Sequence, residues 1–366
     1  MDKILRTGAI VSLTALSLVG CAAEAEPEET ATVPTEVETP EAETPVEPTD
    51  LSEPEVIAEN LDAPWSIVFV DQTPVISERD TGRIVELDEN GTTRELATVE
   101  QTISPGEGGL LGIAVHDSYL YAHLTTQADN RIVRYSITGE PGTLELSAPD
   151  IIFVGIPAAG YHNGGRIAFG PDDMLYVTTG DALEPSTAQD LDSLAGKILR
   201  LTPDGDIPED NPFEDSPVYS YGHRNPQGLA WTEDGTMYSS EFGEDTWDEL
   251  NIIEPGGNYG WPEVEGIGGD ENYIDPVQQW TPAEASPSAI EIRDETLFMV
   301  SLRGQRLWEI PLTNVATSTD HFIDDFGRLR DVTTAPDGSL WILTNNTDGV
   351  GQPSEGDDRI LRIEEP

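Results

Sequence analysis

A short unit recurs six times along the chain, and it restricts the possible folds more than any other feature. Each copy is a turn bearing an aspartate followed by an apolar run: DQTPVISE from Asp71, DSYLYAHLTT from Asp117, DDMLYVTTGD from Asp172, DGTMYSSEFG from Asp234, DETLFMVSLRG from Asp294 and DGSLWILTNN from Asp337. The starts lie 46, 55, 62, 60 and 43 residues apart. A second strand-like run follows every copy (RIVELD, RIVRYS, KILRLT, ELNIIE, QRLWEI, RILRIE), and another precedes it (APWSIVFV, LLGIAV, RIAFG, QGLAW, SAIEI, LRDVTT). Short strands joined by tight turns form antiparallel meanders, Asp-Gly at 234 and 337 is a hairpin signal, and the period leaves room for a fourth strand. Six such sheets, each expected to keep one face apolar, bury those faces best when arranged radially. The expected fold is all-β, a six-bladed β-propeller of four-stranded antiparallel blades over residues 56–366. Loops at one end of the blades would converge on the central channel, where propellers take ligands.

The N-terminal residues have a different character. Residues 1–21 read as a signal peptide: Lys3 and Arg6 give a positive start, Gly8–Gly20 is apolar, and the ending LVGC resembles the lipobox of prokaryotic lipoproteins. Cys21, the single cysteine, would then carry lipid, and no internal disulfide is possible. Residues 22–55 hold 11 Glu and one Asp with no basic or aromatic residue, the composition of a disordered acidic tether stiffened by proline. The expected location is extracytoplasmic, lipid-anchored to the outer face of the cytoplasmic membrane, with no other membrane contact.

The formal charge is −52; the tether supplies −12 and the first 21 residues +1, leaving −41 on residues 56–366. Only Lys3 and Lys197 are lysines, against 16 arginines. Such an excess repels itself unless salt screens it, which points to a salt-rich habitat, and it argues against nucleic acid as a partner.

Within this acidic chain the placement of cations is informative. Arg224, Arg303, Arg328 and Arg330 fall in strand-end loops of three blades. Each alone reads as an ion-pair partner; together at one mouth they would suit a planar polycarboxylate. Of the five histidines, His116, His123 and His321 sit in or beside strands and read as structural, and His223, beside Arg224, reads as a packing residue. His162, in YHNGGR, is by its chemistry either a general base or a polar loop residue. The acidic run Glu241, Glu244, Asp245, Asp248, Glu249 precedes the Gly-rich GGNYGWP, so carboxylates and exposed carbonyls could together hold Ca2+, or the run could be a solvated loop. No HExxH or CxxC, no G-x-S-x-G elbow and no phosphate-cradling GxxxxGK[ST] loop is present.

The ordered set GEGGLLGIAV, HNGGRIAFGPDDMLYVTTGD, LAGKILRLTPDG, SYGHRNPQGLAW, DELNIIEPGGNYGWP and GRLRDV, spanning about Leu61 to Ile363, resembles the soluble PQQ-dependent glucose dehydrogenases, in particular their aldose sugar dehydrogenase branch. The resemblance implies a six-bladed propeller that oxidises an aldose at C1 to the lactone, with PQQ and Ca2+ as cofactors and an external quinone or cytochrome as electron acceptor. It implies His162 as general base and Arg224 as the stabiliser of developing charge. Arg224 and Asn225 would bind the quinone oxygens, Arg328 and Arg330 its carboxylates, with Arg303 and Tyr273 nearby. The carbonyls of Gly243 and Glu244 would hold the catalytic Ca2+, and Glu249 with the Tyr259 carbonyl a second, structural one. Three positions depart from the family pattern: Glu107 replaces a quinone-contacting glutamine, Glu244 a proline, and Tyr161 the aspartate that precedes the base in the glucose enzymes. The rival readings are a cofactor-free propeller binding sugar or cell-surface polymer, and a Ca2+-dependent lactone hydrolase.

Overall fold

The computed structural model describes residues 51–364; Cys21 and the tether up to residue 50 lie outside the described residues. Six antiparallel sheets follow one another along the chain as the blades of a six-bladed β-propeller. Their innermost strands are Pro64–Val70, Leu110–His116, Ile167–Phe169, Pro226–Trp231, Pro287–Arg293 and Leu329–Thr334, and each touches the next around a closed ring. The six repeated units form the second strands, from Thr73–Glu78 in blade 1 to Leu340–Thr344 in blade 6. Blade 6 takes its outermost strand from the other end of the described chain: Glu55–Ala58 pairs antiparallel with Ile360–Ile363, Glu55 opposite Arg362. Leu51 packs against the blade 5–blade 6 core, so the propeller takes in the last residues of the stretch read as tether.

The core is divided into six apolar clusters, one at each interface between neighbouring blades. Leu120, Ala122 and Leu124 pack toward blade 1 with Val75 and Ile84, whereas Tyr121 of the same strand packs toward blade 3 with Ile167 and Val177. The remaining clusters repeat this arrangement to the closing contact of Leu343 and Ile360 with Ile67 and Ile76. The expectation of one apolar face per blade is therefore corrected. A blade in a ring has a neighbour on each side, so both faces are buried and the second strands are buried at nearly every position.

Polar side chains cross the channel axis between the innermost strands. Arg166 of blade 3 pairs at 3.0 Å with buried Asp331 of blade 6 and donates at 2.9 Å to the Gln227 carbonyl of blade 4. Its guanidinium lies 4.4 Å from the ring centroid of Trp65 of blade 1. Burying such a pair is favourable only with good hydrogen bonding, which Asp331 gains from the Ile67 N–H at 2.8 Å.

Candidate active site at the channel mouth

Strand direction decides which loops meet. In an antiparallel blade, the loop entering the first strand and the loop joining the second strand to the third lie at the same end. Glu107, His162, Arg224, Asn225 and Arg328 are on or beside entry loops, while Arg79, Asp181, Gly243, Glu244, Arg303 and Asp348 are on loops of the second kind. Loops from all six blades thus lie at the same end.

His162 is held by two carboxylates. Its Nδ1 lies 2.8 Å from Asp181 Oδ1, and its backbone N–H donates at 3.0 Å to Glu107 Oε2. The residue has φ = +58°, a left-handed conformation that non-glycine residues rarely hold and that costs about 1–3 kcal/mol when imposed by surroundings. Gly180 permits the close approach, since a Cβ there would sit 2.0 Å from the His162 carbonyl oxygen. Asp181 is fully buried and also accepts from Trp261 Nε1 (2.9 Å) and the Leu183 N–H (2.9 Å). Burial pushes its carboxyl up, but the hydrogen bonds from His162, Trp261 and Leu183 together hold it below the usual range. With Nδ1 engaged, His162 Nε2 makes no hydrogen bond among the described residues, and the side chain keeps 15 % exposure. Buried Lys197 fixes the loop that follows Asp181, donating to the carbonyls of Thr187, Ala188 and Ala195 at 2.6–3.0 Å.

Blade 4 brings Arg224 and Asn225 against this pair. The Asp181 N–H donates to the Arg224 carbonyl (2.8 Å), and Asn225 Oδ1 accepts from the Gly164 N–H (2.9 Å). The Arg224 guanidinium lies 5.5 Å from the Trp261 ring centroid. Arg224 Nε and Asn225 Nδ2 are buried donors without an acceptor among the described residues, a state that costs stability unless a ligand supplies one. Tyr273 is half-buried against Gly260, next in sequence to Trp261, its ring 3.3 Å from where a Cβ on Gly260 would lie.

On the blade 6 side, Arg330 lies not in a loop, as its spacing suggested, but within the innermost strand Leu329–Thr334. It is buried and hydrogen-bonded, among the described residues, only to neutral amides, Gln227 Oε1 at 2.8 Å and Asn345 Oδ1 at 3.1 Å. Burial pulls this guanidinium down to about 9, with Arg328 and Arg79 acting in the same direction and Asp348 and Glu107 against it. Arg328 pairs with Asp348 at 2.9 Å, and Arg79 donates to the Asp348 carbonyl at 3.0 Å. Of the four arginines expected to gather, Arg328 and Arg330 lie together, joined by Arg79, and Asp348 and Glu107 offset part of their charge; among the described residues no contact joins Arg224 to them. Arg303 stands apart, exposed on the turn after Thr296–Ser301.

The candidate metal loop follows Arg224, whose Nη1 lies 3.4 Å from the Phe242 carbonyl. Among the described residues no group of three or more His, Asp or Glu side chains is gathered for a metal, so a cation here would depend on carbonyl oxygens. The carbonyls of Gly243 and Glu244 accept no hydrogen bond among the described residues and fit that role, and the Tyr259 carbonyl is likewise open for the second site expected with Glu249. The Tyr259 ring stacks on His223 at 4.7 Å. Glu249 is buried opposite Glu241 across two strands, and burial together with the Glu241 charge pushes its carboxyl up.

Sequence reasoning missed Asp181, Trp261, Asp348 and Glu265. Asp181 had a signal: it closes the third repeat as VTTGD, at the end of a second strand that feeds the mouth.

Residues 61–352 match the family model described as Glucose / Sorbosone dehydrogenase. Among solved structures, the PQQ-bound aldose sugar dehydrogenase of Streptomyces coelicolor is 48 % identical with a TM-score of 0.83, covering 87 % of this chain and 99 % of that one. The aldose sugar dehydrogenase YliI of Escherichia coli (strain K12) is 30 % identical, covering 81 % of this chain and 90 % of that protein. Quinoprotein glucose dehydrogenase B of Acinetobacter calcoaceticus is 34 % identical across 60 % of this chain, and the match spans only 54 % of that protein's length. The chain belongs to the glucose/sorbosone dehydrogenase family.

Proposed function

We propose that this protein is a PQQ-dependent, Ca2+-assisted dehydrogenase that oxidises aldoses at C1 to the lactone and passes the electrons to an external acceptor, a quinone or a cytochrome. One observation carries the reading: His162, oriented by buried Asp181, leaves Nε2 open, and Arg224 and Asn225, hydrogen-bonded to Asp181 and Gly164, hold the donors Nε and Nδ2 without partners among the described residues. In this reading His162 Nε2 takes the proton of the C1 hydroxyl. Asp181, accepting from Nδ1–H, keeps the ring in the tautomer with a free Nε2 and stabilises the imidazolium that results. Arg224 and Asn225 would donate to the quinone carbonyl oxygens, and Arg330 with Arg328 would hold the carboxylates. When bound, PQQ supplies the two-electron acceptor and Ca2+ the Lewis acidity that polarises it. Glu107 suits this arrangement because one carboxylate oxygen is committed to the His162 N–H and its charge is opposed by nearby Arg330. The proposal places the enzyme on the outer face of the cytoplasmic membrane, anchored by lipid on Cys21.

The test is reconstitution with PQQ and Ca2+, read by quinone absorbance and by dye reduction with a panel of aldoses. Absorbance with aldose-dependent reduction is expected. Sugar binding without quinone absorbance would favour a binding propeller, and lactone hydrolysis without dye reduction would favour a hydrolase.

A further inference from the structure

The loop carrying the Gly243 and Glu244 carbonyls is pinned by side chains from elsewhere in blade 4. Glu265 Oε1 accepts three backbone N–H groups at once, from Glu244 (2.6 Å), Thr246 (3.1 Å) and Trp247 (3.2 Å). Asp248 Oδ1 accepts a fourth, from Gly243 at 2.9 Å. The turn is so tight that a Cβ on Gly243 would sit 1.7 Å from the Trp247 carbonyl oxygen. In a trans peptide the N–H of one residue points opposite to the carbonyl of the residue before it. Drawing the Glu244 N–H onto Glu265 therefore turns the Gly243 carbonyl away from that carboxylate. Gly266 then donates at 2.7 Å to Glu249 Oε1, and its φ of +75° suits glycine, since a Cβ there would sit 2.4 Å from the Trp247 ring.

We propose that Glu265 is a positioning residue for a cation at this loop: it fixes the direction of the Gly243–Glu244 carbonyls without contacting the ion and, through Gly266, ties them to the Glu249 carboxylate. The inference rests on the dehydrogenase reading above, in which those carbonyls hold Ca2+. Proline at 244 would achieve similar rigidity by other means, because it fixes φ and has no N–H to satisfy, and the preceding glycine tolerates it. Glu244 in this chain has an N–H, and Glu265 is its acceptor.

The experiment titrates CaCl2 into the full chain at fixed PQQ, following quinone absorbance, with calorimetry of CaCl2 binding as the second readout and the melting temperature without Ca2+ as control. Loss of a group that orients metal ligands lowers affinity about 10–100-fold. Glu265→Ala is expected to raise the Ca2+ midpoint by that factor, and Glu265→Gln, which keeps an oxygen acceptor, by less. Adding Glu244→Pro to Glu265→Ala should return the midpoint most of the way to wild type. An unchanged midpoint in Glu265→Ala overturns the inference, as does a shift that Glu244→Pro leaves in place, which would assign Glu265 to general stability. Wild-type protein that takes up no Ca2+ overturns the functional reading and this inference with it.

Discussion

Blades 3 and 4 each place a histidine at their entrance and a carboxylate at or just past the end of their second strand. In both, Nδ1 lies 2.8 Å from the carboxylate: His162 from Asp181, His223 from Glu241. The resemblance ends at the other ring nitrogen. His223 Nε2 lies 2.8 Å from Ser220 Oγ, the ring stacks on Tyr259, and the side chain has no exposure. His162 Nε2 is open, and its backbone is held left-handed at the mouth. The remaining oxygen of Glu241 takes the backbone N–H groups of Arg224 and Asn225, so that pair organises a loop. Among the described residues, two blades thus place a histidine–carboxylate pair at the mouth, while a third pair, His321 with Glu309 at 2.7 Å, lies in the outer strands of blade 5, away from it. What makes one of them a candidate base is the nitrogen left without a partner.

The largest expected effect tests that distinction directly. Removing a positioned general base costs about 10²–10⁴-fold in rate, so His162→Ala should lose that much kcat in dye reduction while still binding PQQ. Loss of PQQ absorbance in the variant would instead make His162 a binding residue. Asp181→Asn should cost up to about 10⁴-fold, because the amide can present N–H to Nδ1 and favour the wrong tautomer. Asp181 also makes a prediction about pH. Its carboxyl is held below its ordinary 3.8, so the stability it contributes is complete above that value and is lost as pH falls through the lower folded one. An acid-unfolding curve of Asp181→Asn that matches wild type below about pH 4 would count against the bonding described for this carboxylate.

How much of this was legible depends on sequence separation. The first three strands of every blade were readable because each couples an aspartate-bearing turn to an apolar run within a dozen residues. The outermost strands were not: TRELAT at Thr93–Thr98 is polar and largely exposed, and Thr319–His321 spans only three residues. The closing strand Glu55–Ala58 was hidden twice over, by acidic surroundings and by its distance along the chain from its partner Arg362. The mouth residues announced themselves as histidine, arginine and glycine in loops. Their partners did not, since Asp181 and Glu265 are common surface residue types until the fold places them against His162 and the 243–247 turn.

His223 should behave as the structural member of the comparison. His223→Ala strands the Glu241 carboxylate in a buried setting, and breaking one side of such a pair costs about 3 kcal/mol. Urea unfolding should show that loss, while kcat in the protein that remains folded should fall far less than in His162→Ala. Equal losses of kcat in the two variants would erase the distinction.

His123 is a third case, a buried histidine with no carboxylate. Neither ring nitrogen has a partner among the described residues, and burial alone pulls its imidazole down to about 3 from an ordinary 6.5. A base whose folded value is depressed takes up a proton on unfolding at any pH between the two values, so its contribution falls as pH drops from 6.5 toward 3. The slope for one proton is about 1.4 kcal/mol per pH unit, or about 2 kcal/mol lost by pH 5. His123→Leu removes both the titration and two unpaired polar atoms, so it should be at least as stable as wild type at pH 7, and its advantage should grow by about 2 kcal/mol at pH 5. Urea unfolding at the two pH values reads the difference. A gap between variant and wild type that stays constant with pH would mean that His123 is bonded after all, and would place it with His223 rather than apart from it.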